Sequence, residues 1–263
     1  MTFSQTLAEL RASGNDTVTV SADWAQGRAL FGGLAGALAL EPMVRRVAPD
    51  RVLRSISISF VGPVAPGDVA VTSRLLREGG SVSQCQAEVV QEGTVRTAAL
   101  ASFGVPRSSA VVMPPAQAPD VDTPETLESV PFQEGISPQF TRYFEYRYGI
   151  GSLPFSGATT RHMGGWVRFR DERDPITPLH LLGLIDAWPP ATLPLLTERA
   201  PSSSLTWYVE LIHPMPEVQP GDWVLYEAEL DHARDGYGHT QARIWNRQGE
   251  LIAISRQTVA VFA

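Results

Sequence analysis

The sequence predicts an α+β fold built twice, as two similar halves that each set a buried helix against an antiparallel sheet. Three observations predict it. A Pro-rich stretch divides the 263 residues into nearly equal parts, landmarks recur in the same order on either side of it, and each part reads as an apolar helix followed by strand-like runs.

The dividing stretch, Val105 to Pro131, carries Pro106, Pro114, Pro115, Pro119, Pro124 and Pro131 among Ser, Ala and acidic residues, which is the composition of an extended connector. We place the halves at 1–108 and 133–263, with the connector at 109–132. In the first half Gly36 precedes Pro42, Pro66-Gly67-Asp68 follows, and Gly93 sits in a strand-turn-strand pattern ending at Val105. In the second, Gly183 precedes Pro189 by the same spacing, Pro220-Gly221-Asp222 follows, and Gly249 separates two runs ending at Val261. Self-similarity of this kind marks a duplicated unit.

The helices are read at Gly33 to about Glu41 and Pro178 to about Trp188, both apolar all round and therefore enclosed by other structure. Strands follow at Val52–Val61, Val69–Leu76, Val82–Val90 and Val95–Val105, and again at Leu205–Ile212, Trp223–Leu230, His239–Trp245 and Leu251–Val261. Alternation is plain in Ile56-Ser57-Ile58-Ser59-Phe60, and Glu78-Gly79-Gly80 and Asp235-Gly236-Tyr237-Gly238 read as hairpin turns.

Composition removes several classes of function. Hydrophobic residues make up 43% and charged residues 19%, a globular balance that needs no staples. The net charge of −7, with no basic cluster beyond Arg45-Arg46, argues against a nucleic-acid partner. Every basic residue is Arg, so no Lys Schiff base, Lys general base or Walker-type lysine is available. The one cysteine, Cys85, lies in an alternating strand without a basic neighbour and reads as structural. Met1 to Asp16 lacks a basic segment leading into an apolar run, and no stretch reaches 18 apolar residues, so a cytoplasmic protein without a membrane partner is expected. Sheet edges in each half need covering, which makes a homo-oligomer the expected state.

Asp186 is the sharpest local signal, the only carboxylate on a helix with no solvent face. A buried carboxylate is costly unless bonded. It could cap the turn at Pro189-Pro190, but aligning the halves sets Ala39 opposite it. Gln257 lies on the strand face that is read to carry Leu251, Ala253, Val259 and Val261 as well, and the same alignment sets Ala101 against it. Two polar-for-alanine exchanges in one half suggest a single asymmetric site. Ser204 and Thr206 belong to a strand face with Tyr208 and Glu210, which also fits a solvated surface. Gly32 and Gly33 open the first helix, either as a plain turn or as a source of free amides at the positive dipole end. No Gly-x-Ser-x-Gly elbow occurs. His180 lies on the far side of the helix from Asp186 and reads as an N-terminal helix residue. His162, His213, His232 and His239 show no metal-ligand spacing, so no metal is expected.

The run Arg28-Ala29-Leu30-Phe31-Gly32-Gly33-Leu34-Ala35-Gly36 resembles the "FGG" helix start of the acyl-CoA thioesterase II family and its thioesterase-like relatives. Leu184-Ile185-Asp186, Ser203-Ser204-Leu205-Thr206-Trp207 and Ile254-Ser255-Arg256-Gln257-Thr258 are similar to the places where that family keeps its hydrolytic Asp, Thr and Gln. The resemblance implies a double hot-dog, two antiparallel sheets each wrapped around a long central helix. It also implies hydrolysis of acyl-CoA by activated water, with no cofactor, metal or covalent acyl-enzyme. Asp186 and Gln257 fall on the family's positions directly, Ser204 stands where the family has Thr, and Thr206 is expected two residues on, facing the same side. The rivals are an acyl-CoA hydratase or dehydratase, which usually pairs a His with its carboxylate, and a non-catalytic acyl or small-ligand binding protein.

Overall fold

The computed structural model describes residues 1–263. Three helices, α1 (Phe3–Ala12), α2 (Gly32–Arg45) and α3 (Pro178–Asp186), pack against strands β1 (Thr17–Val20), β4 (Val52–Phe60), β5 (Gly67–Glu78), β6 (Val82–Gln91), β7 (Thr94–Gly104), β8 (Phe144–Gly151), β9 (His162–Phe169), β10 (Ser202–Leu211), β11 (Val224–Arg234), β12 (Tyr237–Trp245) and β13 (Leu251–Val261), while β2 (Ala25–Gln26) and β3 (Ala29–Leu30) form a small hairpin before α2. The expected α+β architecture is present.

The expectation of two separate sheets is corrected. All eleven long strands form one sheet, in the order β1-β5-β6-β7-β4-β10-β13-β12-β11-β9-β8. The join is the antiparallel pair β4 and β10, with Ile58 opposite Trp207 and Ile56 opposite Val209. Each of these strands would otherwise be an open edge with a row of unpaired amides, and pairing them satisfies both. The halves share one interior as well, an apolar cluster of 53 buried residues that includes both α2 and α3.

The helices are also unequal. Helix α3 has nine residues and ends at Asp186. Pro189 lacks an amide hydrogen and disfavours helical geometry in the residue before it, so Trp188-Pro189 cannot extend the helix. Helix α2 has 14 residues and runs past Pro42, where the sequence predicts a stop. Its last turn is held by Arg45 Nε on Glu41 Oε2 at 2.9 Å, and Arg11 Nε also donates to Glu41 at 2.9 Å. Glu41 is buried, so these two guanidinium groups compensate a charge that would be costly alone.

Glycines let α2 and α3 approach. A Cβ on Gly33 would lie 2.9 Å from the Leu182 carbonyl oxygen on α3, whereas one on Gly36 would lie 2.8 Å from Ile58 Cδ1, so that glycine lets α2 approach β4. The contacts of Gly32 with Asp186 and of Gly33 with Leu182 set the helices antiparallel, with the start of α2 beside the end of α3. Helix α1 ties the halves together, for Phe3 packs edge-on to Trp24 and against Phe169.

The connector lies across the outer face of the second half. Trp166, Trp223, Leu225, Trp245 and Leu251 form a second apolar cluster there, covered by Ala118, Val121 and Leu127. Trp166 Nε1 donates to the Asp122 carbonyl at 2.9 Å and Trp245 Nε1 to that of Ala116 at 3.0 Å. No helix is long and apolar enough to cross a membrane.

Candidate active site

The termination of α3 places Asp186 at the first turn of α2. A Cβ built on Gly32 would come within 2.7 Å of Asp186 Oδ2 and 3.1 Å of Phe60 Cζ, so only glycine leaves room for the carboxylate there. Phe31, at the N-cap, provides no side-chain bond to the helix. The first amides of a helix have no intrahelical acceptor, and they carry the positive end of its dipole. Asp186 faces them from the other half, with the Gly33 amide among the groups that favour its ionised form.

Gln257 completes the pair, donating from Nε2 to Asp186 Oδ1 at 2.8 Å. It stands in a row across the sheet, opposite Trp207 on β10 and Thr240 on β12. Trp207 is fully buried and fixed by its Nε1 on Ser255 Oγ at 2.8 Å, so the floor beneath Gln257 is rigid.

Burial dominates the electrostatics. It pushes the Asp186 carboxyl up to about 7, against the opposing influence of the Gln257 and Gly33 hydrogen bonds. The residue keeps some accessible surface despite dense surroundings. Burial holds Tyr146 and Tyr226 well above the ordinary phenol range; the Asp186 charge adds to this at Tyr226 and, after that of Tyr148, at Tyr146, which places both near the carboxylate. Tyr146 Oη donates to the Ala187 carbonyl at 3.0 Å and so anchors the end of α3.

Ser204 and Thr206 do not share a face. A β-bulge at Leu205 breaks the pairing of β10 with β13, leaving Ser204 opposite Val259 but Thr206 opposite Thr258. Directly opposed residues point the same way, and Val259 is buried on the inner face with Gln257. Ser204 therefore turns inward, diagonal to Gln257, while Thr206 turns out with Tyr208 and Glu210 and is exposed. Bulges re-aim side chains in this way because the extra residue shifts the two-residue alternation by one. The expectation that Thr206 faces the same side as Ser204 is thus overturned.

The remaining candidates behave as structural groups. His180 Nδ1 accepts from the Thr177 amide at 3.2 Å and its Nε2 lies 2.8 Å from Ser4 Oγ. Burial lowers its pKa. Cys85 is fully buried, and burial raises its thiol pKa. No cluster of three or more His, Cys, Asp or Glu is placed to hold a metal ion. Sequence reasoning missed Tyr146, Trp188, Tyr226 and Thr240, all at or beside the site. The alternation Tyr143-Phe144-Glu145-Tyr146-Arg147-Tyr148 is the available signal for β8.

Comparisons with known proteins identify the family and the fold. A model of the acyl-CoA thioesterase N-terminal domain matches residues 20–104, and one of the acyl-CoA thioesterase C-terminal domain matches residues 115–261. No curated protein matches the sequence. Among solved structures, a conserved protein with the hot dog fold from Alicyclobacillus acidocaldarius is 21% identical, with a TM-score of 0.79 over 94% of this chain and 92% of that one. An acyl-CoA thioesterase II from Mycobacterium marinum is 20% identical, with a TM-score of 0.70 over 94% and 92%. A tesB protein from Mycobacterium avium subs paratuberculosis is 21% identical, with a TM-score of 0.73 over the whole of both chains. These likenesses establish the hot-dog fold. The two domain models, matched in order along one chain, establish that this protein belongs to the acyl-CoA thioesterase family, a family of thioester hydrolases.

Proposed function

We propose that this protein hydrolyses an acyl-CoA thioester with Asp186 as general base. The observation that carries the proposal is a carboxylate enclosed enough to titrate near 7, bonded to Gln257 and to the Gly33 amide at the opening of α2. A general base works best when its pKa lies near the working pH, since it is then both ionised in quantity and strong enough to take a proton.

Asp186 takes a proton from water as the water oxygen attacks the thioester carbonyl carbon. Ser204 and Gln257 orient that water, and the Gly32 amide stabilises the oxyanion, the Gly33 amide being bonded to Asp186. Collapse of the tetrahedral intermediate breaks the C–S bond, and the proton on Asp186 passes to the departing thiolate, giving the free acid and CoA. A positioned base is worth about 10²- to 10⁴-fold and one oxyanion donor about 10²- to 10³-fold. Tyr146 and Tyr226 stay protonated throughout and keep water away from the carboxylate's far side.

The test is release of free thiol from a panel of acyl-CoAs by the purified protein. Release that disappears in Asp186→Asn supports the assignment. A folded wild-type protein that binds acyl-CoA and releases no thiol from any member refutes it in favour of the binding-protein reading.

A further inference from the structure

The interior of the second half holds hydrogen-bonding groups that the fold itself does not use. Trp188 Nε1, Thr192 Oγ1 and Thr240 Oγ1 are buried without a hydrogen-bond partner, on residues that are 5%, 4% and 5% exposed. Buried polar groups are nearly always paired in native proteins, because an unpaired one has given up its bonds to water for nothing. Three in one region call for an explanation.

They are spread along the inner face beside the site, the two threonines as neighbours and Trp188 farther along the sheet. Thr240 lies directly opposite Gln257, whose amide holds Asp186. Thr192 stands over Gly238, where a Cβ would fall 2.3 Å from Thr192 Cγ2, and Gly238 is two residues from Thr240 on the same buried face of β12. Trp188 follows Asp186 by two residues and stacks on Tyr226, with ring centroids 5.5 Å apart and planes 7° from parallel. The strand order sets β12 on the side of β13 away from the first half, so this polar lining extends into the second half. The strands of the first half present Cys85, Ala87, Val89, Ala99 and Ala101 to their interior, with Thr97 as their one unpaired hydroxyl.

We infer that the acyl group processed here bears an oxygen of its own, a hydroxyl or keto group beyond the thioester carbonyl, which enters the second half and bonds to Thr240 or Thr192, whose hydroxyls sit at neighbouring positions of one buried face. A threonine hydroxyl can donate or accept, so it can meet either group. An unsubstituted alkyl chain would leave both hydroxyls unsatisfied. The inference rests on the thioesterase reading and narrows its substrate class.

The experiment compares kcat/KM for acyl-CoAs of equal chain length, unsubstituted against β-hydroxy, β-keto and ω-hydroxy, with the purified full-length protein. At least one oxygenated member should be favoured by about tenfold, the scale of one well-made hydrogen bond. Thr240→Val and Thr192→Val should each reduce that preference severalfold without lowering Tm, since valine replaces a hydroxyl that has no partner. Kinetic preference within about twofold of unity for every pair would overturn the inference, as would a preference that neither variant changes. Thiol release from no member at all would instead overturn the thioesterase reading beneath it.

Discussion

Replacing Asp186 by Asn should separate what the carboxylate costs the fold from what it does in the site. Burial holds its pKa at about 7 against an ordinary 3.8, so across that interval the folded protein retains a proton that the unfolded chain has released. A pKa raised on folding means that the folded state binds more protons, so stability falls as pH rises through the interval and the whole cost is present above it. At about 1.4 kcal/mol per pH unit, the spread amounts to about 4 kcal/mol. Asn is nearly isosteric and uncharged at every pH. Asp186→Asn should therefore unfold in urea much like wild type at about pH 4 and be more stable by about 2 to 4 kcal/mol at about pH 8. Turnover should move the other way, falling about 100-fold or more. Wild-type kcat/KM should rise with pH through an inflection near 7, because only the ionised carboxylate accepts the proton. A pH-independent wild-type rate, together with a stability difference that does not change with pH, would refute the reasoning on both counts.

Gln257→Ala removes a hydrogen bond that favours the ionised form of Asp186. The inflection of the pH–rate profile should move above 7 while the limiting rate falls less than in Asp186→Asn, and an unmoved inflection would show that the bond does not tune the base. The bulge at Leu205 makes a separate claim, that Ser204→Ala lowers turnover by about tenfold while Thr206→Ala leaves it near wild type. Equal effects of the two substitutions, measured on the same acyl-CoA, would contradict the assignment of their faces.

Much of this protein is legible locally. The landmark repeat and the two apolar helices predict the duplicated α+β plan, because burial on all sides demands apolar residues at every turn of a helix. The strand limits agree closely as well. Val82–Gln91 and Leu251–Val261 follow from alternation, and Asp235-Gly236, whose positive φ values suit a hairpin, joins Val224–Arg234 to Tyr237–Trp245. The exchange of Ala39 for Asp186 and of Ala101 for Gln257 was readable for the same reason, since a polar residue on an otherwise apolar face stands out against its counterpart. Helix α1 was missed although Phe3, Leu7 and Leu10 carry its buried stripe, and so were β8 and β9.

What the sequence by itself determined is therefore what depends on neighbours along the chain: periodicity, turns, the helix stop before Pro189 and the identity of the two polar intruders. Tertiary structure decided the rest. The fusion of both halves into one sheet depends on β4 and β10 meeting, a pairing between residues about 150 positions apart that no local pattern encodes. The bulge that sends Ser204 inward and Thr206 outward exists only relative to the register of β13. The raised pKa of Asp186 likewise belongs to no residue type, for it arises where the end of one helix is enclosed by the start of another and by the inner face of a distant strand, and desolvation there outweighs the hydrogen bonds that oppose it.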